Sequence, residues 1–203
     1  NGHAYKMELN GVLTDVIGVD RNYSIENIRG TEFADTIRGD HQSNTLLGGG
    51  GNDYLYGAEG ADVLVGGEGD DILEGGTGRD LFILDGGENT IVDFEPGEDH
   101  IEVDYEAYGV TGRDDLVYEG PDADGNGYLK IAATGVTIAI LQNMTGKTFS
   151  MDVDIPTKLF ADDDKGGVLS GDGSANWLYA GRSGFTNITG GDGVDTFVLR
   201  GGY

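Results

Sequence analysis

A large apolar residue returns at every ninth position after Ile37, as Leu46, Leu55, Leu64, Leu73, Phe82 and Ile91, with glycine and polar residues between. Set in register, the chain divides into blocks at 30–38, 39–47, 48–56, 57–65, 66–74 and 75–83, then a degenerate block at 84–92. Another degenerate block, 21–29, precedes them with Glu26 and Ile28 at the matching positions. The blocks share the form GGxGxDxUx, where U is the apolar residue. The last three residues of each suffice for a short strand whose middle side chain points to one face and whose neighbours point to the other. The eighth position therefore fills a core. The six residues before the strand are rich in glycine, which turns the chain through positive φ and leaves carbonyl oxygens directed into the loop. A strand and a turn recurring at this short period predict a solenoid.

The sixth position brings in chemistry. It holds Asp35, Asn44, Asp53, Asp62, Asp71, Asp80 and Asn89. Carboxylate and carbonyl oxygens together are the ligands of a hard cation such as calcium. Among 203 residues there are 38 glycines, and the formal net charge is −25. Acids crowded into the glycine-rich segments repel one another unless cations neutralise them, so the fold is expected to depend on metal. The same charge excludes a nucleic-acid partner. Cysteine is absent, and His3, His41 and His100 form no ligand-spaced cluster, which leaves neither a disulfide framework nor a zinc site. No apolar run approaches the roughly 18 residues of a transmembrane segment. No signal peptide starts at Asn1, and the missing initiator methionine reads as a fragment or a processed chain.

These repeats resemble the RTX family, most closely over 48–83 and less over 39–47, where Asp40, His41 and Gln42 replace glycines. The resemblance implies an all-β fold, a right-handed parallel β-roll of two sheets with two nonapeptides to the turn. It implies about five or more calcium ions between stacked loops. On one edge they would lie between Asp35 and Asp53, Asp53 and Asp71, and Asp71 and Asn89; on the other, between Asn44 and Asp62, and Asp62 and Asp80. Carbonyls of the first four positions would complete the shells, which carries over to Gly48, Gly49, Gly51, Gly57, Gly60, Gly66, Gly67, Gly69, Gly75, Gly76 and Gly78. Asn44 and Asn89 lack charge and are expected to serve weaker sites. After Val92, the run IVDFEPGEDHIEV looks like the segment that closes such rolls, and Asp93 and Asp99 match acids that complete the last site. Glu98 is a rival for that role, and a plain turn at Pro96 and Gly97 is the alternative reading.

The outward seventh and ninth positions sort by sheet. One face carries Thr36, Arg38, Tyr54, Tyr56, Ile72 and Glu74; the other carries Thr45, Leu47, Val63, Val65, Leu81 and Ile83. The second is a contiguous apolar patch, which predicts that the non-repeat segment packs over it, unless strand propensity alone explains it. From Ile101 the period of nine stops, and the runs HIEVDY, DDLVYE, YLKIAA, VTIAIL and KTFSMDV read as a small antiparallel sheet. Asp122, Asp124, Asn126 and Gly127 copy the opening of an EF-hand loop, but its twelfth position is Ala133, so a metal-free hairpin turn is the favoured reading.

A second, poorer repeat block follows Asp162, Asp163 and Asp164. Its sixth positions are Asn176, about Asn187 and Asp195, and its core residues are Leu169, Leu178, Ile188 and Phe197. Asn176 and Asp195 are candidate metal residues, with Asp172 and Asp192 nearby. Trp177 and Tyr179 hold outward positions, as Tyr54 and Tyr56 do, where they would stack on a carbohydrate or pack against a neighbouring domain. Four regions result: N-terminal strands or a cap at 1–29, the roll at 30–92, a closing segment with the antiparallel sheet at 93–160, and the second block at 161–203. GGTGRDLFILDGG at 75–87 aligns with GGDGVDTFVLRGG at 190–202, and only the first copy is followed by a closing segment. The second would expose strand edges unless flanking domains or neighbouring subunits cover them.

No HExxH, GxSxG or phosphate-binding lysine loop is present, and an acid in every loop is explained by metal without a glycosidase pair. The expectation is no enzyme. Two classes remain: a calcium-driven folding module of a secreted toxin, enzyme or adhesin, for which the resemblance implies export of the unfolded chain by type I secretion, and a structural cell-surface protein such as an adhesin segment, S-layer or filament subunit. Both place the chain outside the cell or on its surface.

Overall fold

The computed structural model describes residues 27–151, Ile155 and, for the backbone alone, strands within 157–199. Consecutive strands fall alternately into two parallel sheets. The first sheet orders β1 (Asn27–Arg29), β3 (Thr45–Gly50), β5 (Val63–Glu68), β7 (Leu81–Leu84) and β9 (His100–Val103). The second begins with β2 (Thr36–Arg38), β4 (Tyr54–Glu59), β6 (Ile72–Thr77) and β8 (Asn89–Ile91). Register is set by the repeat: Leu46 pairs with Leu64 and Leu64 with Phe82, while Leu55 pairs with Leu73 and Leu73 with Ile91. Apolar eighth positions thus stack on one another between the sheets. Leu46, Leu55, Leu64, Leu73, Phe82 and Ile91 are wholly buried. This is the parallel β-roll of the sequence expectation.

Strands β3 to β6 are longer than the three residues expected, because pairing runs on through the first glycines of the next loop, where Gly49 meets Gly67 and Ala58 meets Gly76. Such close stacking needs glycine. At Gly67 φ is +100°, and a Cβ would lie 2.0 Å from the Gly49 carbonyl oxygen.

His100–Val103 pairs in parallel with β7 and so belongs to the roll, not to the antiparallel sheet expected from Ile101 onward. The insertion in 93–99 is absorbed in the turn, and Ile101 still stacks on Phe82. The antiparallel strands are β10 (Leu116–Glu119), β11 (Gly127–Ile131) and β12 (Thr137–Leu141). β12 pairs in parallel with β8, so these strands lengthen the second sheet to seven and do not cover the outer face of the first. Val63, Val65, Leu81 and Ile83 on that face are half-buried. Residues 147–150, expected as part of a strand, are irregular. They close the roll instead: Phe149 stacks on Tyr118 at 4.3 Å and adjoins Phe94, which adjoins Phe82.

The chain parts into two compact units between Phe149 and Ser150. In the second, β13 (Thr157–Phe160), β15 (Asn176–Ala180) and β17 (Thr196–Leu199) form one parallel sheet, and β14 (Val168–Ser170) pairs with β16 (Asn187–Thr189). Leu159 pairs with Leu178, Leu178 with Phe197 and Leu169 with Ile188, each nineteen residues on. The second roll is thus one residue longer per turn than the first. Thr157–Phe160, which the sequence assigned to the antiparallel region, is its opening strand.

Candidate metal centre

The sixth-position residues form two lines along the edges of the roll. On one edge the Asp35 amide donates to Asp53 Oδ1 (2.7 Å), the Asp53 amide to Asp71 Oδ1 (2.8 Å) and the Asp71 amide to Asn89 Oδ1 (3.1 Å). On the other, Asn44 donates to Asp62 (2.6 Å), Asp62 to Asp80 (2.8 Å) and Asp80 to Asp99 (2.9 Å). Each of the six accepting side chains reaches from its own loop to the loop 18 residues earlier, or 19 at Asp99. All eight residues are buried, Asp71 to 1% exposure.

Oδ1 of Asp53, Asp62, Asp71, Asp80, Asn89 and Asp99 is thereby used. The second oxygen is not, at four positions: Oδ2 of Asp53, Asp62, Asp71 and Asp80 is buried without any hydrogen-bond partner. A bare buried carboxylate oxygen costs several kcal/mol unless a positive charge meets it. The surroundings supply further oxygens. A Cβ placed on Gly48 would lie 2.2 Å from Asp53 Oδ2 and 2.4 Å from the Gly66 carbonyl; one on Gly57 would lie 2.3 Å from Asp62 Oδ2 and 2.5 Å from the Gly75 carbonyl. Carboxylate and carbonyl oxygens thus converge where the first glycine leaves room. Carbonyls of Gly49, Gly51 and Gly60 lie directly beneath Gly67, Gly69 and Gly78 of the next turn. Among the described residues no three His, Cys, Asp or Glu side chains converge, so a cation here would be held mainly by backbone carbonyls. That donor set suits calcium.

Burial pushes the carboxyls of Asp53, Asp71 and Asp99 up to about 6 and that of Asp80 up to about 7, against the pull of the backbone amides they accept, with neighbouring carboxylates adding to the rise. Asp62, Asp85 and Asp93 move the same way for the same first cause. The roll without cations is an acid trap, because stacking strands forces these groups out of water together.

Asp99, expected in the last site, is buried at a sixth position; its rival Glu98 is exposed. Asp99 Oδ2 accepts the Glu95 amide. Both Asp93 oxygens accept amides, from Gly75 (2.9 Å) and Gly76 (2.7 Å). Sequence reasoning missed Asp85, whose Oδ1 accepts the Gly67 amide at 2.9 Å. Its signal was present, since Asp85 falls 18 residues after Gly67. The Asp122 turn is closed by its own donors: Oδ1 accepts the Asp124 and Asn126 amides and Oδ2 the Tyr128 hydroxyl. Asn176 lies in β15, described by its backbone alone, and Asp195, Asp172 and Asp192 lie outside the described residues.

The family model for the RTX calcium-binding nonapeptide repeat, in four copies, matches residues 22–55 and 56–91. Among solved structures, the AlgE6R3 subunit of a mannuronan C5-epimerase from Azotobacter vinelandii is 30% identical, with a TM-score of 0.51 over 66% of this chain and 84% of that one. The chain belongs to the RTX repeat family. The AlgE6R2 subunit of the same epimerase aligns at 28% identity and a TM-score of 0.48, covering 66% of this RTX chain and 92% of the subunit. No curated protein matches the chain. RTX repeats bind calcium, which agrees with the oxygen-only donor set of the two edges.

Proposed function

We propose that the roll takes calcium between stacked loops, that this binding drives its folding, and that the module stabilises a secreted or surface protein without catalysis of its own. The observation that carries this is the set of four bare, buried oxygens on Asp53, Asp62, Asp71 and Asp80. At Asp53 and Asp62 the oxygen shares its space with a carbonyl of the following turn, Gly66 or Gly75, and each of the four would repel its neighbours unless a cation intervened. When bound, calcium supplies that charge. The chain's own part is to hold the oxygens in register: Oδ1 of each acid fixes the loop before it, and the core leucines fix the spacing of the turns.

Folding on calcium suits an extracellular setting, where the ion is abundant and sites of modest affinity fill. Flanking domains of a larger polypeptide are the partners that such a module would serve. The epimerase subunits that the chain resembles are parts of an enzyme, which favours a module attached to an extracellular activity over a purely structural surface protein. Calcium titration of the chelated chain, followed by circular dichroism at neutral pH, tests the reading. The β signal should appear cooperatively as calcium is added; a spectrum that is the same in chelator and in calcium would refute it.

A further inference from the structure

The edge that runs from Asp35 to Asn89 differs at its two ends from its middle. In the loop 66–71 the second residue is Gly67, whose amide leaves its own loop for Asp85 Oδ1, and Asp71 Oδ2 stays bare. In the first loop the second residue is Thr31. Its amide and its hydroxyl both turn onto Asp35 Oδ2, at 2.6 and 2.8 Å. Two donors occupy both lone pairs of that oxygen and present it with two hydrogens where a cation would sit.

The last loop is closed by other means. Asn89 stands where the acid would be; its Oδ1 keeps the structural bond to the Asp71 amide, and its Nδ2 donates to the Gly86 carbonyl at 2.8 Å. The hydroxyl of Tyr108, from beyond the repeats, donates to the same carbonyl at 2.8 Å. Again one oxygen receives two donors. The chain uses the first device a second time outside the nonapeptides, where Thr111 gives its amide and hydroxyl, both at 2.7 Å, to Asp115 Oδ2. A threonine four residues before an aspartate thus gives both of its donors to one carboxylate oxygen.

We infer that Thr31 at one end, and Asn89 with Tyr108 at the other, terminate the metal line of this edge, so that Asp53 and Asp71 carry its ions and Asp35 carries none. The inference rests on the calcium reading above and sharpens it. It revises the site expected between Asp35 and Asp53, whose Asp35 oxygen is already satisfied. The physical logic is substitution: at these two loops protein hydrogens meet the oxygens that a cation would otherwise meet.

The test is a count of bound calcium on the full chain by native mass spectrometry, checked by calorimetric stoichiometry. Asp35→Asn should bind as many ions as wild type, and Asp53→Asn should bind at least one fewer. Thr31→Gly, which restores the repeat's own glycine and removes the hydroxyl, should bind one more. Should Thr31→Gly fail to fold, Asn89→Asp combined with Tyr108→Phe gives the same reading at the far end, again one ion more. A lost ion in Asp35→Asn, or no gain in a folded opened variant, overturns the closure while leaving calcium binding intact. A wild-type chain that binds no calcium overturns both.

Discussion

In the loop 66–71 of the roll and the turn 122–127 of the antiparallel strands, glycine is mixed with aspartate in much the same proportion. Their fates are opposite. Asp71 is stacked between two other loops, buried, raised to about 6 and left with a bare oxygen. Asp122 gathers the Tyr128 hydroxyl and local amides, which hold its carboxyl below the usual range in full contact with water. A turn that ends a hairpin satisfies itself from within. A loop stacked on copies of itself spends its amides on its neighbours and must take its charge balance from solution.

The largest effect that would break this contrast lies in the chelated chain at different pH. Folded, Asp53, Asp71, Asp80 and Asp99 titrate near 6 to 7; unfolded, they return to about 3.8. Their folded values are raised, so the stability they contribute is complete below about pH 3.8 and lost as pH rises through 6 to 7. In chelator, β signal should therefore grow on acidification toward pH 4 and vanish by pH 7, where calcium restores it. A chelated chain that folds better at pH 7 than at pH 4 would show the trapped carboxylates to be unimportant.

Next in size is Leu64→Ala, which empties a wholly buried core position and should lower stability in saturating calcium by about 2–5 kcal/mol. Val117→Ala, on an exposed strand face, should stay within about 0.5 kcal/mol. Thermal denaturation of the two variants side by side measures whether the stacked core or the antiparallel extension holds the unit together.

Asp71→Asn should raise the calcium midpoint for folding about tenfold or more, a shift of about 1.4 kcal/mol or greater, whereas Asp122→Asn should leave the midpoint where it is. Equal midpoints would abolish the distinction between stacked and self-closed loops. The smallest effect is Ala58→Gly. Ala58 occupies the glycine position of its loop at φ 91°, and relieving it should stabilise the protein by about 1 kcal/mol, read as a small rise in Tm.

Much of the first unit was legible in advance. Leu46 over Leu64 over Phe82, and Asp53 between Asp35 and Asp71, follow from a period of nine with two blocks to the turn. The second unit's pairing of Leu178 with Phe197 follows from the same logic with one residue added. The strands after Ile101 were harder. HIEV alternates like any amphipathic strand, and alternation cannot say whether its partner is the next strand or one already in the roll. Nor could it say that β12 would choose β8 and so lengthen the second sheet.

The repeat marked the apolar core positions and most of the buried acids, because one apolar residue per nine-residue unit must stack on its copies; the resemblance to the RTX family added the two-repeat turn, hence the 18-residue register, and Asp99, one residue off it. Only the tertiary structure decided which acid oxygens remain bare. That depends on where each amide and hydroxyl turns: Thr31 onto its own loop, Gly67 to the next, Tyr108 back from beyond the repeats to Gly86. Gly67 and Asp85 are related by the 18-residue period, but Thr31 with Asp35 and Tyr108 with Gly86 are not, and such bonds decide which oxygens already have protein donors.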